Sequence, residues 1–266
     1  MDNLAQNREK DAFISRLKGA INRFEDKGLS TDIGFLDELS YNICEQYFSQ
    51  SRFCEYFYFS PHSDSSRKFL SIGEEADLSE FVYVHAVPDK FHNPTHQDYM
   101  GALMSLQIDR KIFGDLFVTE NCDAFFVVWN KGEVLTHIYE NFLSCGKAKL
   151  KLEAVSSERY SCLQMKYEHK ELIVSSLRAD CIVSAVINNS RARAKSVILS
   201  GDFKVFSNPM TYVDRNISVG EVFSVRGYGK YRFDGVVGTT HRDRMRISLS
   251  KFGNYIERNR CNDSTS

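Results

Sequence analysis

Between Ser190 and Lys195 the chain reads SRARAK, three cations at alternate positions behind a hydroxyl that can cap a helix. At helical spacing Arg191 and Lys195 share one face and Arg193 lies on the next, with Val197, Ile198 and Leu199 as the expected buried stripe. Helix N-termini present free N–H groups and the positive end of the macrodipole, so cations there extend a site for phosphate. A solvated charged face is the plainer reading of any such run. What favours a polyanion is the second set: Lys204, Arg226, Lys230 and Arg232 flank the turns of a short β unit, and Arg242, Arg244 and Arg246 follow. Tyr228 and Tyr231 are interleaved with them, and recurrent cations on one small domain are what a groove for a phosphate backbone requires.

The remaining motifs point away from catalysis. Gly227 and Gly229 in RGYGKY follow a strand pattern and open no apolar helix, so they read as a turn and not a phosphate loop. There is no G-x-S-x-G elbow and no glycine-rich turn for a methyl donor or dinucleotide. His92 and His96 stand four apart, but Pro94 between them makes the segment a turn into a helix capped by Thr95, with His96 and Asp98 in its entry, and not a metal pair. Carboxylate neighbours such as Glu74 with Glu75 and Asp37 with Glu38 diverge on a helix and read as solvated charge. The expectation is a binder: no catalytic residue, no metal, no cofactor and no small-molecule substrate.

Charge is unevenly spread. The formal net charge is -1, yet from Arg178 onward 15 Lys+Arg stand against 8 Asp+Glu, while before it 19 stand against 27. A basic end behind an acidic body orients a protein on a nucleic-acid surface. No run of eighteen apolar residues occurs and the first residues, MDNLAQNREKDAF, are charged, so a soluble, cytoplasmic protein without a membrane partner is expected. The seven cysteines fit neither a zinc nor a disulfide spacing and read as reduced, mostly buried small hydrophobes.

The 266 residues have room for three small domains, and an α+β fold is expected. Residues 1–78 should form a small α/β N-terminal domain. In it, a helix over residues 9 to 27 carries Phe13, Ile14, Leu17, Ala20, Ile21 and Phe24 and is stopped by Gly28. A second helix, capped by Ser30, Thr31 or Asp32, carries Phe35, Leu36, Leu39, Ile43 and Tyr47, and a hairpin covers Phe53 to Ile72. The aromatics of that hairpin are more plausibly core than a base-stacking platform. Residues 79–156 switch period in the order strand, helix, strand, strand, helix, strand, the split βαβ arrangement of RNA-recognition folds, with Asn121–Cys122–Asp123 turning the central hairpin. Residues 157–177 read as linker and strand. Residues 178–252 form a two-helix unit with a small β-sheet (FKVFSN, MTYVDRN, EVFSVRGY, KYRFDGVVGTT, RMRISLSK), and 253–266 read as a frayed tail.

Two resemblances follow from these residues. Residues 178 to about 250 resemble the RNA-binding domain typified by small-subunit ribosomal protein four: an Arg-x-Asp opening (Arg178, Asp180), a helix, a Ser-Arg-x-x-Ala-Lys-like second helix from Ser190 to Lys195, and Ser200–Gly201 before the Lys204 strand. The segments THQDYMGALMSLQIDRKIFGDLFV and DIGFLDELSYNI are similar to the middle helix and strand and the N-terminal segment of YlmH-type RNA-binding proteins. The resemblance implies a non-catalytic protein bound to rRNA, tRNA or both on the ribosomal large subunit, in rescue or quality control of stalled nascent chains. Together with the recurrent cations above, it gives Arg178, Ser190, Arg191, Arg193, Lys195, Lys204, Arg226, Lys230 and Arg232 as the expected RNA-binding set. The alternatives are an RNA-modifying enzyme, of pseudouridine synthase or rRNA methyltransferase type, and an adaptor connected with cell division.

Overall fold

Alternating apolar positions organise the middle of the chain into strands, and the segment before them adds Phe35 and Phe69 to their core while keeping a second core of its own. A computed structural model describes residues 2–206 and 208–257. The chain falls into two compact units, one of Met1–Gln164 with the chain again from Tyr255, the other of Met165–Asn254.

The first unit begins with α1 (Asp2–Lys27), which ends where Gly28 adopts a φ of 65° and returns its N–H to the Phe24 carbonyl. The second helix does not start at residues 30 to 32. Thr31–Phe35 is instead a strand, β1, and α2 (Glu38–Gln50) opens behind Asp37, whose carboxylate accepts from the Ser40 N–H at 2.8 Å. The reason lies at Gly34, whose φ of 105° is incompatible with a helix, so Phe35 and Leu36 serve a strand end and its exit. β2 (Tyr56–Phe59) and β3 (Phe69–Ile72) complete a three-stranded sheet in the order β1-β3-β2. Its aromatics are core or partly buried, with Phe48 stacked on Tyr56 at 3.8 Å.

The strands and helices expected over residues 79–156 are present: β4 (Phe81–Pro88), α3 (His96–Ser105), β5 (Phe113–Val118), β6 (Ala124–Trp129), α4 (Val134–Asn141), a two-residue β7 (Ser144–Cys145) and β8 (Ala148–Val155). The sheet order β5-β6-β4-β8-β7 places the first and third strands centrally, as two split βαβ crossovers require. Thr95 and Asp98 form the reciprocal cap of α3. One sheet face is filled by Tyr99, Leu103, Ile138 and Phe142 from the helices. The 1–78 and 79–156 segments share one compact unit: Phe35 and Phe69 enter the same core as Phe81 and Trp129, with Phe69 at 4.9 Å from each. Rings of that size at two sheet surfaces bury more apolar area by meeting each other than by facing water.

The segment 157–177 contains the expected strand, preceded by a short helix. It holds α5 (Ser157–Ser161), whose Tyr160 is fully buried, and β9 (Leu163–Val174). In the second unit follow α6 (Ala179–Val186), α7 (Arg191–Leu199), β10 (Phe203–Val205), β11 (Asn208–Pro209), β12 (Val222–Val225), β13 (Gly229–Thr239) and β14 (Met245–Glu257). The sheet order is β11-β10-β12-β13-β14-β9, with Phe203, Phe223, Phe233, Ile247 and Leu249 packed with Ile182 and Ile198 of the helices. MTYVDRN forms no strand: its carbonyls at Val213 and Arg215 accept from the N–H groups of Asp180 and Ala179, satisfying the first turn of α6. Residues 253 to 257 belong to β14, and the rest of the expected tail lies outside the described residues. Cys44, Cys54, Cys122, Cys145 and Cys181 are free thiols, and Cys44, Cys145 and Cys181 are buried.

Candidate nucleic-acid interface

The cations of the second unit divide by what holds them. Arg178 sits at the N-cap of α6 and directs Nε and a terminal nitrogen to the two oxygens of Asp180, at 3.1 and 3.4 Å. Arg191, the first residue of α7, reaches the same carboxylate at 2.6 Å. The Asp180 side chain is 0 % exposed, whereas that of Arg191 is 52 % exposed. Burial works to raise the Asp180 carboxyl, but its bonds to Arg191 and Arg178 outweigh that and hold it below the usual carboxylate range. The hydrogen bond from Arg191 in turn pushes its guanidinium higher. Arg178 and Arg191 thus tie the starts of two helices together, which their charge alone did not reveal.

Arg193, Lys195 and Lys204 are exposed and make no ion pair among the described residues. Ser190 caps α7 by accepting from the Arg193 N–H at 3.2 Å. The buried positions of α7 are Ala194 and Ile198, four apart; Leu199 is exposed, so the apolar stripe is narrower and turned from the one expected. Arg226 in the turn after β12 is 83 % exposed and touches Asp202 at 3.3 Å. Hydrogen bonds from Ser200 and Arg226 hold the Asp202 carboxyl low, and the charge of Arg193 adds to them, so α7 and this turn present their cations to one neighbourhood.

Lys204, Lys230 and Arg232 lie on the other surface. Their strand neighbours Phe203, Val205, Tyr231 and Phe233 face the helices, and register pairs Lys204 with Ser224 and Ser224 with Lys230 across β10, β12 and β13. Lys230 lies over the Phe252 ring at 5.0 Å, Phe252 meets Tyr167 at 5.2 Å, and Arg232 covers Tyr167 at 5.3 Å. Arg232 is fixed by Asp234 at 2.9 Å, itself held by Ser250 at 2.7 Å. The expected set is therefore split between the helix end and the outer sheet face. Tyr167 and Phe252 had no signal in the sequence beyond being aromatic at alternate strand positions.

In the first unit, the sheet face opposite α3 and α4 is closed where RNA-recognition folds expose stacking rings. Phe117 and Phe125 are buried, Phe117 stacks on Tyr255 at 4.2 Å, and Tyr160 packs on Phe117 at 5.3 Å. Phe125 stacks on His85 at 4.1 Å. The two nitrogens of His85 meet Glu153 at 2.8 Å and Asp123 at 2.9 Å, and Arg159 joins Glu153 to Glu257. The bond from His85 lowers the Glu153 carboxyl, and at Asp123 the same bond overcomes the opposing effect of burial. Among the described residues no cluster of side chains could hold a metal ion. His92 binds Asp89 at 2.8 Å instead.

The first unit is an acidic domain with a split βαβ sheet and the second a basic unit of two helices on a sheet, and the RNA-binding class comes from comparison with known proteins. Residues 74–159 match the family model described as "Putative RNA-binding domain in YlmH", so the YlmH-type character read from the middle helix and strand is borne out. Among curated proteins, the chain is 25 % identical over 182 residues to "Ribosome-associated protein quality control protein P2" of Bacillus subtilis (strain 168), covering 67 % of this chain and 68 % of that protein. Among solved structures, "Cell division protein ylmH from Streptococcus pneumoniae" aligns with a TM-score of 0.43 and 19 % identity, over 57 % of this chain and 94 % of that one. No helix among the described residues is long and apolar enough to cross a membrane.

Proposed function

We propose that this chain is a non-catalytic, cytoplasmic binder of structured RNA that works on the ribosome in quality control of stalled nascent chains, with the unit from Met165 to Asn254 as its grip on rRNA or tRNA. The observation that carries the reading is the pair Arg193 and Arg226, exposed at one neighbourhood, with Lys195 also exposed on the same helix as Arg193, in a unit whose helix start is already locked by Arg178, Asp180 and Arg191. Cations that neutralise no buried acid are free to displace the counterions of a phosphate backbone. The match of residues 74–159 and the printed name of the Bacillus relative support the same reading at the level of class. Engagement of the large subunit and of tRNA is part of the proposal. The resemblance of residues 178 to about 250 to the domain of small-subunit ribosomal protein four supports it.

An RNA-modifying role is disfavoured by Asp180. The one acid in the Arg-x-Asp opening is wholly enclosed and doubly ion-paired, so it cannot reach a base.

The test is co-sedimentation of the full chain with ribosomal subunits across a salt series. Arg193→Glu with Lys195→Glu should weaken binding and reduce the log–log salt slope by about one for each lost phosphate contact. Arg191 is a poor choice for this purpose, because its reversal also breaks the clamp on Asp180. Unchanged affinity and slope in the double variant would remove the proposal's basis.

A further inference from the structure

The first unit contains an aromatic side chain that no part of the fold explains. Phe91, in the loop between β4 and α3, is 91 % exposed, while the rings on the adjoining sheet are buried. A lone exposed ring needs no explanation when its loop is loose, but this loop is built. Asp89 accepts from the Phe91 N–H at 3.0 Å and from His92 at 2.8 Å with one oxygen, and from the Lys149 N–H at 2.7 Å with the other. The Asp89 N–H returns to the Lys149 carbonyl at 2.9 Å. These bonds, first among them the one from Lys149, lower the Asp89 carboxyl to about 2. The carboxylate thereby pins the loop to the start of β8 with Phe91 at its tip.

The surroundings are cationic. Lys90 precedes Phe91, Lys147 lies in the β7–β8 turn, and Lys149 and Lys151 alternate along β8, all four exposed. Leu150 and Leu152 face the helix-side core, so Lys149 and Lys151 lie on the opposite face. An aromatic held out among lysines combines a base-stacking surface with phosphate neutralisation, the pairing that single-stranded nucleic acid takes.

We infer that the Phe91 loop and Lys90, Lys147, Lys149 and Lys151 form a second RNA contact that stacks one unpaired base on Phe91. The inference rests on the RNA-binding reading above, but it assigns a contact to the first unit that owes nothing to the cations of the second. It also says how a split βαβ domain whose sheet rings are enclosed can still touch a base.

The experiment uses the full chain with two probes, an RNA hairpin whose loop carries 2-aminopurine and a blunt duplex of the same stem. Phe91→Ala should weaken the hairpin by about 5- to 150-fold, the range of one base–aromatic stack. It should leave the duplex within about twofold and abolish 2-aminopurine quenching, while Phe91→Trp restores both. Since the side chain packs against nothing, loss of folding does not confuse the result. Hairpin binding and quenching unchanged in Phe91→Ala would overturn the inference, including the case in which Phe91 serves a protein partner. Equal losses on hairpin and duplex would overturn it too. Failure of the unaltered chain to bind either RNA would instead sink the RNA reading as a whole, which separates the two claims.

Discussion

Replacing Asp180 by alanine should loosen the start of α6 and α7 without removing a single cation. The carboxylate takes two short charge-assisted bonds, from Arg178 Nε at 3.1 Å and Arg191 at 2.6 Å. Bonds of this kind contribute about 1.5–3 kcal/mol each, so the gross loss is about 3–6 kcal/mol. Against it stands the relief of no longer burying a charge, together with rehydration of two arginines that are already partly exposed. The net cost is about 2–4 kcal/mol. Hydrogen exchange of the full chain, followed in peptides spanning residues 178–199, should therefore quicken by about 30- to 1,000-fold. Arg191→Ala should behave alike, because it strands the buried carboxylate with one partner. Lys195→Ala, which breaks no ion pair, should leave exchange unchanged while weakening RNA binding. Exchange in Asp180→Ala within about threefold of the unaltered chain would refute the clamp, and equal acceleration in Lys195→Ala would refute the division of the cations into positioning and contacting groups.

Two further expectations concern the first unit. Because the Asp89 carboxyl titrates at about 2 in the folded chain, below the ordinary value for an aspartate, its hold on the Phe91 loop is complete above about pH 4 and is lost as pH falls toward 2. Protection of the Phe91 and Lys149 amides should fall together over that window, and loss at higher pH would contradict the assignment. Gly114→Ala places a methyl group 2.3 Å from Val127 Cγ1 and 3.2 Å from the Phe35 ring. It should cost about 1–3 kcal/mol by overpacking, read as a lower urea midpoint, and Val127→Ala in the same chain should recover part of it.

The alternation of period through residues 79–156 was enough to give the order of strands and helices, because each segment there buries one face or both and carries the matching repeat. The start of α2 is ambiguous in the sequence for the complementary reason. Phe35 and Leu36 fit a helical spacing as well as a strand end, and only the backbone at Gly34 decides between them. At the candidate site, positive charge was legible but its engagement was not. Asp180 lies eleven positions before Arg191, and nothing in SRARAK announces that its first cation is spoken for while the others are open. His85, Asp123 and Glu153 are farther apart still, 38 and 68 residues, and come together only because β4 lies between β6 and β8. Phe91 carried no signal at all, since an aromatic in a loop acquires meaning only when its exposure and its anchoring are both known.

The chain enters its second unit along β9 and leaves along β14, which lie next to each other in the sheet. Lys166 and Gly253 are so close that a methyl group on Gly253 would meet the Lys166 carbonyl oxygen at 2.8 Å. Entry and exit thus form a single doorway, and the basic unit has the topology of a cassette whose two ends are already aligned for joining. Such a unit can be lost, gained or exchanged in a gene by one event that leaves the flanking chain in register. The natural cut points are then a paired strand edge and not the charged helix where the change of composition begins, so a fragment started at Arg178 would lose β9 and leave one edge of β14 uncovered, its pairing with β13 intact.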